Sequence, residues 1–223
     1  ELVKISDVVF DNFRPGVLER LGADYDILKP LNPRIISCSV TGFGLTGPQR
    51  DLPAYDVVVQ AMGGGMSITG ERGGRFLRSG IPIGDLGGGI YAALGILAAL
   101  QARERTGAGQ KVDVSMLDCQ ISLLNYMATM YFLSGEVPEP LGNEHFVHFP
   151  YGEYATKDIY ILLAIAGDNF WDALCEVLDV EELKDPGYRT RDGRWAEKER
   201  LHAIISETLK TRSGDEWLAR LRE

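Results

Sequence analysis

The strongest constraint on this chain lies between residues 80 and 105, in the stretch GIPIGDLGGGIYAALGILAALQARER. A single carboxylate, Asp85, stands ahead of Gly87-Gly88-Gly89, and from Ile90 to Leu100 only the Tyr91 hydroxyl can form a side-chain hydrogen bond. So apolar a run predicts a helix buried on every side. Gly88, Ala92, Gly95 and Ala99 would let its neighbours approach closely. Counted from Leu86 to Leu100 the run is shorter than the roughly 20 residues a bilayer span takes. It reads as the core helix of a soluble protein, with no membrane partner.

Two readings of Asp85 stand. On the first it is an N-cap, its carboxylate accepting a backbone N–H of the first turn. Against this stand three glycines, each costing up to about 1 kcal/mol in a helix relative to alanine. Glycines are useful where a ligand must approach the backbone, and a helix N-terminus is an anion site. The helix dipole there would keep Asp85 ionised, as a carboxylate nucleophile requires.

The net charge of -9 over 223 residues argues against a nucleic-acid partner. Any anionic ligand must then meet local cations. Cys38, Cys119 and Cys175 are odd in number and widely spaced, indicating neither a disulfide framework nor a zinc site. His145 and His148, three residues apart, lack further ligands, so no metal is expected. A reducing cytoplasm fits these thiols. The chain opens on Glu rather than Met and reads as a fragment of something longer.

Strand-like Asp7–Phe10, helical Val17–Leu21 and Tyr25–Leu31, then strand-like Arg34–Val40 follow one another. That order predicts an open α/β domain with a parallel sheet. Gly42-Phe-Gly44-Leu-Thr-Gly47 is formally a GxGxxG, but Pro48 and polar residues follow where the dinucleotide fingerprint opens a helix. A helix is expected over Leu52–Met62, a strand over Gln110–Val114, and one long helix over Met116–Leu133. Residues 1–116 are therefore read as part of a large α/β domain and 117–141 as a linker helix and loop. Residues 142–223 read as a small α+β domain, with a hairpin of Tyr151–Thr156 and Ile159–Ile165 followed by helices.

Taken together, these motifs resemble the class III CoA transferases, the family containing formyl-CoA transferase and carnitine CoA-transferase, with the α-methylacyl-CoA racemases as relatives. The resemblance rests on Asp7-Val-Val-Phe-Asp-Asn-Phe-Arg-Pro-Gly16, Thr41-Gly-Phe-Gly44 and Ala54-Tyr-Asp56 with Gln60. It continues through Gly84-Asp-Leu-Gly-Gly-Gly89, Thr106-Gly-x-Gly-Gln110, Gly142-Asn-x-His145 and Thr156-Lys-Asp158. It implies an interlocked homodimer acting on an acyl-CoA and a carboxylic acid acceptor, with coenzyme A as carrier. It also implies that Asp85 is the nucleophile, forming first an anhydride and then an aspartyl-CoA thioester. Tyr55 would neighbour the reacting carboxylate, and Asn12, Phe13, Arg20 and Leu21 would line the CoA site. Gly87 and Gly88 would leave room for the thioester. Racemases carry a histidine where Tyr55 stands, because moving an α-proton needs an acid/base pair. Transfer is thus favoured over racemisation or epimerisation, and over a non-catalytic CoA-binding subunit.

Overall fold

In a computed structural model, which describes residues 1–222, the chain divides after Pro140 into two compact units. The first is built on three parallel strands in the order β1-β2-β3: β1 (Val8–Asp11), β2 (Ile36–Thr41) and β3 (Lys111–Ser115). Phe10 pairs with Cys38, and Ser39 with Asp113. Every residue of the central strand β2 is buried, as expected of parallel strands covered on both faces. Helices α1 (Val17–Leu21) and α2 (Tyr25–Leu31) connect β1 to β2. Asp24 caps α2 by accepting the N–H of Ile27 at 2.9 Å. The connection from β2 to β3 carries α3 (Asp56–Met62) and α4 (Ile83–Thr106). Helix α3 starts later than expected, since Leu52 to Tyr55 remain outside it.

Helix α4 differs from its sequence reading in three ways. It has 24 residues and is long and apolar enough, by length and composition, to cross a membrane, so the argument from shortness fails. Its burial is one-sided. Gly84, Gly87, Gly88, Ala92 and Ala99 are buried, whereas Leu86, Ile90, Leu94 and Leu97 are 50, 68, 59 and 63 % exposed. Small residues set the close side. A Cβ on Gly95 would lie 2.8 Å from Val112 Cγ1, and one on Gly88 3.2 Å from Val40 Cγ1. Finally, Asp85 lies inside the first turn rather than capping it; Pro82 holds the cap position with no side-chain bond.

Cys38, Val40, Val59, Ala92, Val114, Met116 and Cys119 form the core of this unit. Two helices replace the single long one expected after β3: α5 (Met116–Leu123) and α6 (Tyr126–Ser134). The break falls at Asn125, whose φ of 48° lies in the left-handed region that asparagine tolerates better than most residues. The boundary after Pro140 groups both helices with the first unit.

The second unit pairs β4 (Tyr151–Ala155) with β5 (Tyr160–Ala164) in an antiparallel hairpin. Helices α7 (Asp168–Leu178), α8 (Arg191–Ala196), α9 (Lys198–Leu209) and α10 (Gly214–Leu221) follow. Its core gathers Phe149, Ile161, Leu163, Trp171, Leu174, Leu201, Ile205 and Trp217. One charge is buried within it. Arg194 donates to the carbonyls of Phe149, Tyr188 and Arg189, and pairs with Asp168 at 3.0 Å. A buried cation is tolerable only when its donors are satisfied in this way.

Candidate active site

At the carboxyl end of a parallel sheet the strands stop and the loops diverge, leaving room for a ligand. The first unit has a cavity of about 530 Å³ there. Its wall includes Asn12, Phe13 and Arg14 after β1, Gly42 after β2, Met116 after β3, and Arg50 with Leu52 to Tyr55 ahead of α3. Asp85 and Gly89 complete it from the first turns of α4. Their four-residue spacing places both on one helix face.

Local chemistry fixes this wall. Buried Asp11 accepts the N–H of Phe13 at 3.1 Å and the hydroxyl of Ser39 at 2.6 Å, turning the chain out of β1. Asn12 then donates its side-chain amide to the Val40 carbonyl at 2.6 Å, tying the loop to β2. Tyr55 takes the residue position before α3 and is 73 % exposed.

The cap for α4 comes from a distant residue. Asp56 Oδ1 accepts the N–H of Gly84 at 2.8 Å and of Asp85 at 3.4 Å. Its Oδ2 accepts from Gln60 at 2.8 Å, and Gln60 Oε1 in turn accepts the N–H of Ser79 at 2.8 Å. Asp56 thus does what local sequence assigned to Asp85, and the Asp85 side chain is left exposed on the cavity wall. Burial raises the Asp85 pKa above the ordinary aspartate value, and the neighbouring Asp56 charge adds to the effect. The direction is opposite to that expected from the helix dipole alone. Desolvation at the cavity wall, together with a second carboxylate at the same helix end, outweighs the dipole.

The structure brings Asp85, Tyr55, Asn12 and Phe13 to one cavity. Four other expected residues stand elsewhere. Arg20 and Leu21, on α1, are exposed and off the cavity wall; a Cβ on Gly16 would lie 3.3 Å from Arg20 Nη1. Gly87 and Gly88 are buried against protein, where added Cβ atoms would lie 3.0 Å from Leu123 Cδ1 and 3.1 Å from Met116 Cγ. Gly89 is the glycine that meets the cavity, and a Cβ there has open space. Arg14, Arg50 and the capping Asp56 were not singled out from sequence. Arg14 and Asp56 nevertheless lie within the quoted motifs, and Asp56–Gln60 has the four-residue spacing of a helical pair.

The three cysteines are free and buried. Burial, reinforced by Asp11 and Asp113, pushes the Cys38 thiol up to about 11; burial, with Asp172, does the same for Cys175. Thiols so shifted are poor nucleophiles. His145 Nδ1 accepts the N–H groups of Val147 and His148 at 3.0 and 3.3 Å. Among the described residues no group of three or more potential ligands gathers to hold a metal.

An open α/β unit presenting a carboxylate at a helix start, over a cavity at the carboxyl end of its sheet, defines a class of small-molecule-binding α/β protein. Comparison with known proteins narrows the class. Residues 1–223 match CoA-transferase family III, and the chain belongs to that family. It is 41 % identical over 216 residues to a succinate–glutarate CoA-transferase of Agrobacterium fabrum, covering 96 % of this chain and 54 % of that protein. It is 39 % identical over 220 residues to an acetyl-CoA:oxalate CoA-transferase of Acetobacter aceti, covering 98 and 57 %. A CAIB/BAIF family protein from Brucella suis superposes with a TM-score of 0.88 at 37 % identity, covering 99 % of this chain and 59 % of that one. The chain thus spans about half the length of the curated relatives it matches.

Proposed function

We propose that the protein moves coenzyme A from an acyl-CoA donor to a carboxylic acid acceptor, with Asp85 as the covalent carrier. The observation that carries this reading is the exposed Asp85 carboxylate on a cavity wall shared with Asn12, Phe13 and Tyr55. The names of the relatives, a succinate–glutarate CoA-transferase and an acetyl-CoA:oxalate CoA-transferase, support the reaction type. One carboxylate oxygen of Asp85 attacks the thioester carbonyl carbon. A C–O bond forms, the C–S bond breaks and CoA thiolate leaves, giving a mixed anhydride. The thiolate then attacks the Asp85 carbonyl, forming aspartyl-CoA and freeing the donor acid. The acceptor carboxylate repeats the two steps in reverse order, and Asp85 is regenerated. No proton is lost or gained, and the thioester energy is kept in covalent form throughout.

Tyr55, at the start of α3, positions the substrate, and Asn12 and Phe13 hold the pantetheine end of CoA. Exposed Arg20 meets the nucleotide phosphates beside Leu21. The exposed row Leu86, Ile90, Leu94 and Leu97 supports a homodimer. The buried free thiols support a reducing compartment such as the cytoplasm.

The test is peptide mass spectrometry on the full-length protein after incubation with a panel of acyl-CoAs and trapping with hydroxylamine. A hydroxamate on Asp85 is the expected product, and the acyl-CoA that yields it names the donor. CoA-bound protein that forms no adduct with any donor, yet exchanges the α-proton of a branched acyl-CoA for deuterium, would replace this reading with racemisation.

A further inference from the structure

Two residues one turn apart on α3 set the start of α4. Asp56 Oδ1 accepts the N–H groups of Gly84 and Asp85, and Gln60 Oε1 accepts the N–H of Ser79, three residues ahead of Pro82 at the cap position. The two side chains are themselves joined, Gln60 Nε2 donating to Asp56 Oδ2 at 2.8 Å. The amide fits one way round. Turned over, its oxygen would face the Asp56 carboxylate and its N–H groups would face the N–H of Ser79.

Packing does not account for an amide here. Gln60 is 1 % exposed, next to fully buried Val59. An apolar side chain of similar length would fill the same place without the cost of desolvating an amide. Gln60 also stands off the cavity wall, so it reaches the reaction through other residues. The terminal torsion of an aspartate is broad and turns freely unless both oxygens are engaged. With Oδ2 held by Gln60, Oδ1 is kept on the backbone of Gly84 and Asp85. A shift of that first turn would carry the Asp85 carboxylate with it, and a displacement of about 1 Å at a reacting group can cost about 100-fold in rate.

Resting on the CoA-transfer reading, we infer that Gln60 is a positioning residue for the transfer reaction: its buried amide fixes the Asp56 carboxylate and the chain at Ser79, and thereby the first turn of α4 from which Asp85 attacks.

The same amide N–H favours the state in which Asp56 and Asp85 are both ionised, which is the state that attacks. Its loss should let the two carboxylates take up a proton at higher pH. The cavity wall adds Tyr55, Arg14 and Arg50 to the titratable or charged groups around them. On the α5 side, Cys119 faces Gly87; burial, with Asp118, raises its pKa and keeps the thiol neutral.

The experiment uses the full-length protein with the donor that labels Asp85. At the pH optimum Gln60→Met should lower kcat by about 10-fold, with the KM for the acyl-CoA donor moving little. Its acid limb should move to higher pH, opposite to that of Asp56→Asn. Combined with Asp56→Asn, Gln60→Met should move the limb no further, because the carboxylate it acts on is gone. A loss of kcat with an unmoved acid limb, the signature of a merely structural role, would overturn the inference. So would a limb shift that persists in the Asp56→Asn background. Exchanging the pair, Asp56→Asn with Gln60→Glu, keeps every hydrogen bond. The amide introduced at 56 accepts from Gly84 and donates to the carboxylate introduced at 60, which still accepts from Ser79. The exchange should recover most of the kcat lost by Gln60→Glu alone, where two carboxylates face each other. An exchanged pair no faster than Gln60→Glu would overturn the inference, and this comparison decides the matter if Gln60→Met does not fold. Failure of the underlying reading has a different signature, since the wild type itself would then give no Asp85 hydroxamate.

Discussion

Asp85 combines a chemical role with a cost to the fold. Its carboxylate must be ionised to attack, yet desolvation and the charge of Asp56 raise its pKa, so the folded state holds the proton to higher pH than the unfolded state does. The folded state therefore binds more protons than the unfolded state between the two pKa values, and stability falls as pH rises through that interval. Asp85→Asn should abolish transfer, by about 1,000-fold or more, while raising the melting temperature at neutral pH. The gain should shrink toward zero as the pH is lowered past the ordinary aspartate range. Thermal unfolding followed from pH 3 to pH 8 checks this, and a variant less stable than wild type at pH 7 would refute the assigned direction. Asp56 offers the complementary change. Asp56→Asn removes the charge but keeps an oxygen for the Gly84 N–H, so the acid limb of the pH–rate profile should move to lower pH. Asp56→Ala removes the cap as well and should cost about 1–2 kcal/mol of stability, measurable by urea unfolding.

At the scale of elements, the parallel strand–helix–strand order was legible because its signals are local, short apolar runs of strand and helix character following one another from Asp7 to Val40. The cap of α4 was not, because Asp56 reaches Gly84 across 28 residues. Hydrophobicity likewise predicted a helix buried all round, since composition records how apolar a face is and not whether this chain covers it. The glycine triplet was resolvable in principle. Gly89 lies four residues after Asp85 and shares its face, whereas Gly87 and Gly88 turn toward α5 and β2. This separates two outcomes. Gly88→Ala would place a methyl 3.1 Å from Met116 Cγ and 3.2 Å from Val40 Cγ1, so overpacking should offset its gain in helix propensity and leave a net loss of about 1 kcal/mol. Gly89→Ala meets nothing within 4 Å and should stabilise α4 by up to about 1 kcal/mol, while its methyl enters the cavity and lowers transfer. Paired unfolding and activity measurements decide the matter; equal effects of the two substitutions on both readouts would contradict the assigned faces.

At the scale of the whole molecule, the exposed side of α4 calls for an explanation. Leu86, Ile90 and Leu94 recur every four residues and Leu97 follows three later, forming one stripe opposite the glycines and alanines that pack on the sheet. Such a stripe in water is unfavourable, at about 25 cal/mol for each Å² of apolar surface left exposed. The proposed homodimer would cover it. Leu94 is already 59 % exposed within the chain, so a charge there should disturb the fold of one protomer little. In an interface core the same charge would be desolvated without a partner. Leu94→Glu in the full-length protein should therefore shift sedimentation equilibrium from dimer toward monomer and leave the circular dichroism spectrum unchanged. A variant that remains dimeric across the micromolar range would place this stripe outside the interface. If it dissociates but still gives the Asp85 hydroxamate, the cavity, all of whose wall comes from residues 10 to 116, performs the acylation step within a single protomer.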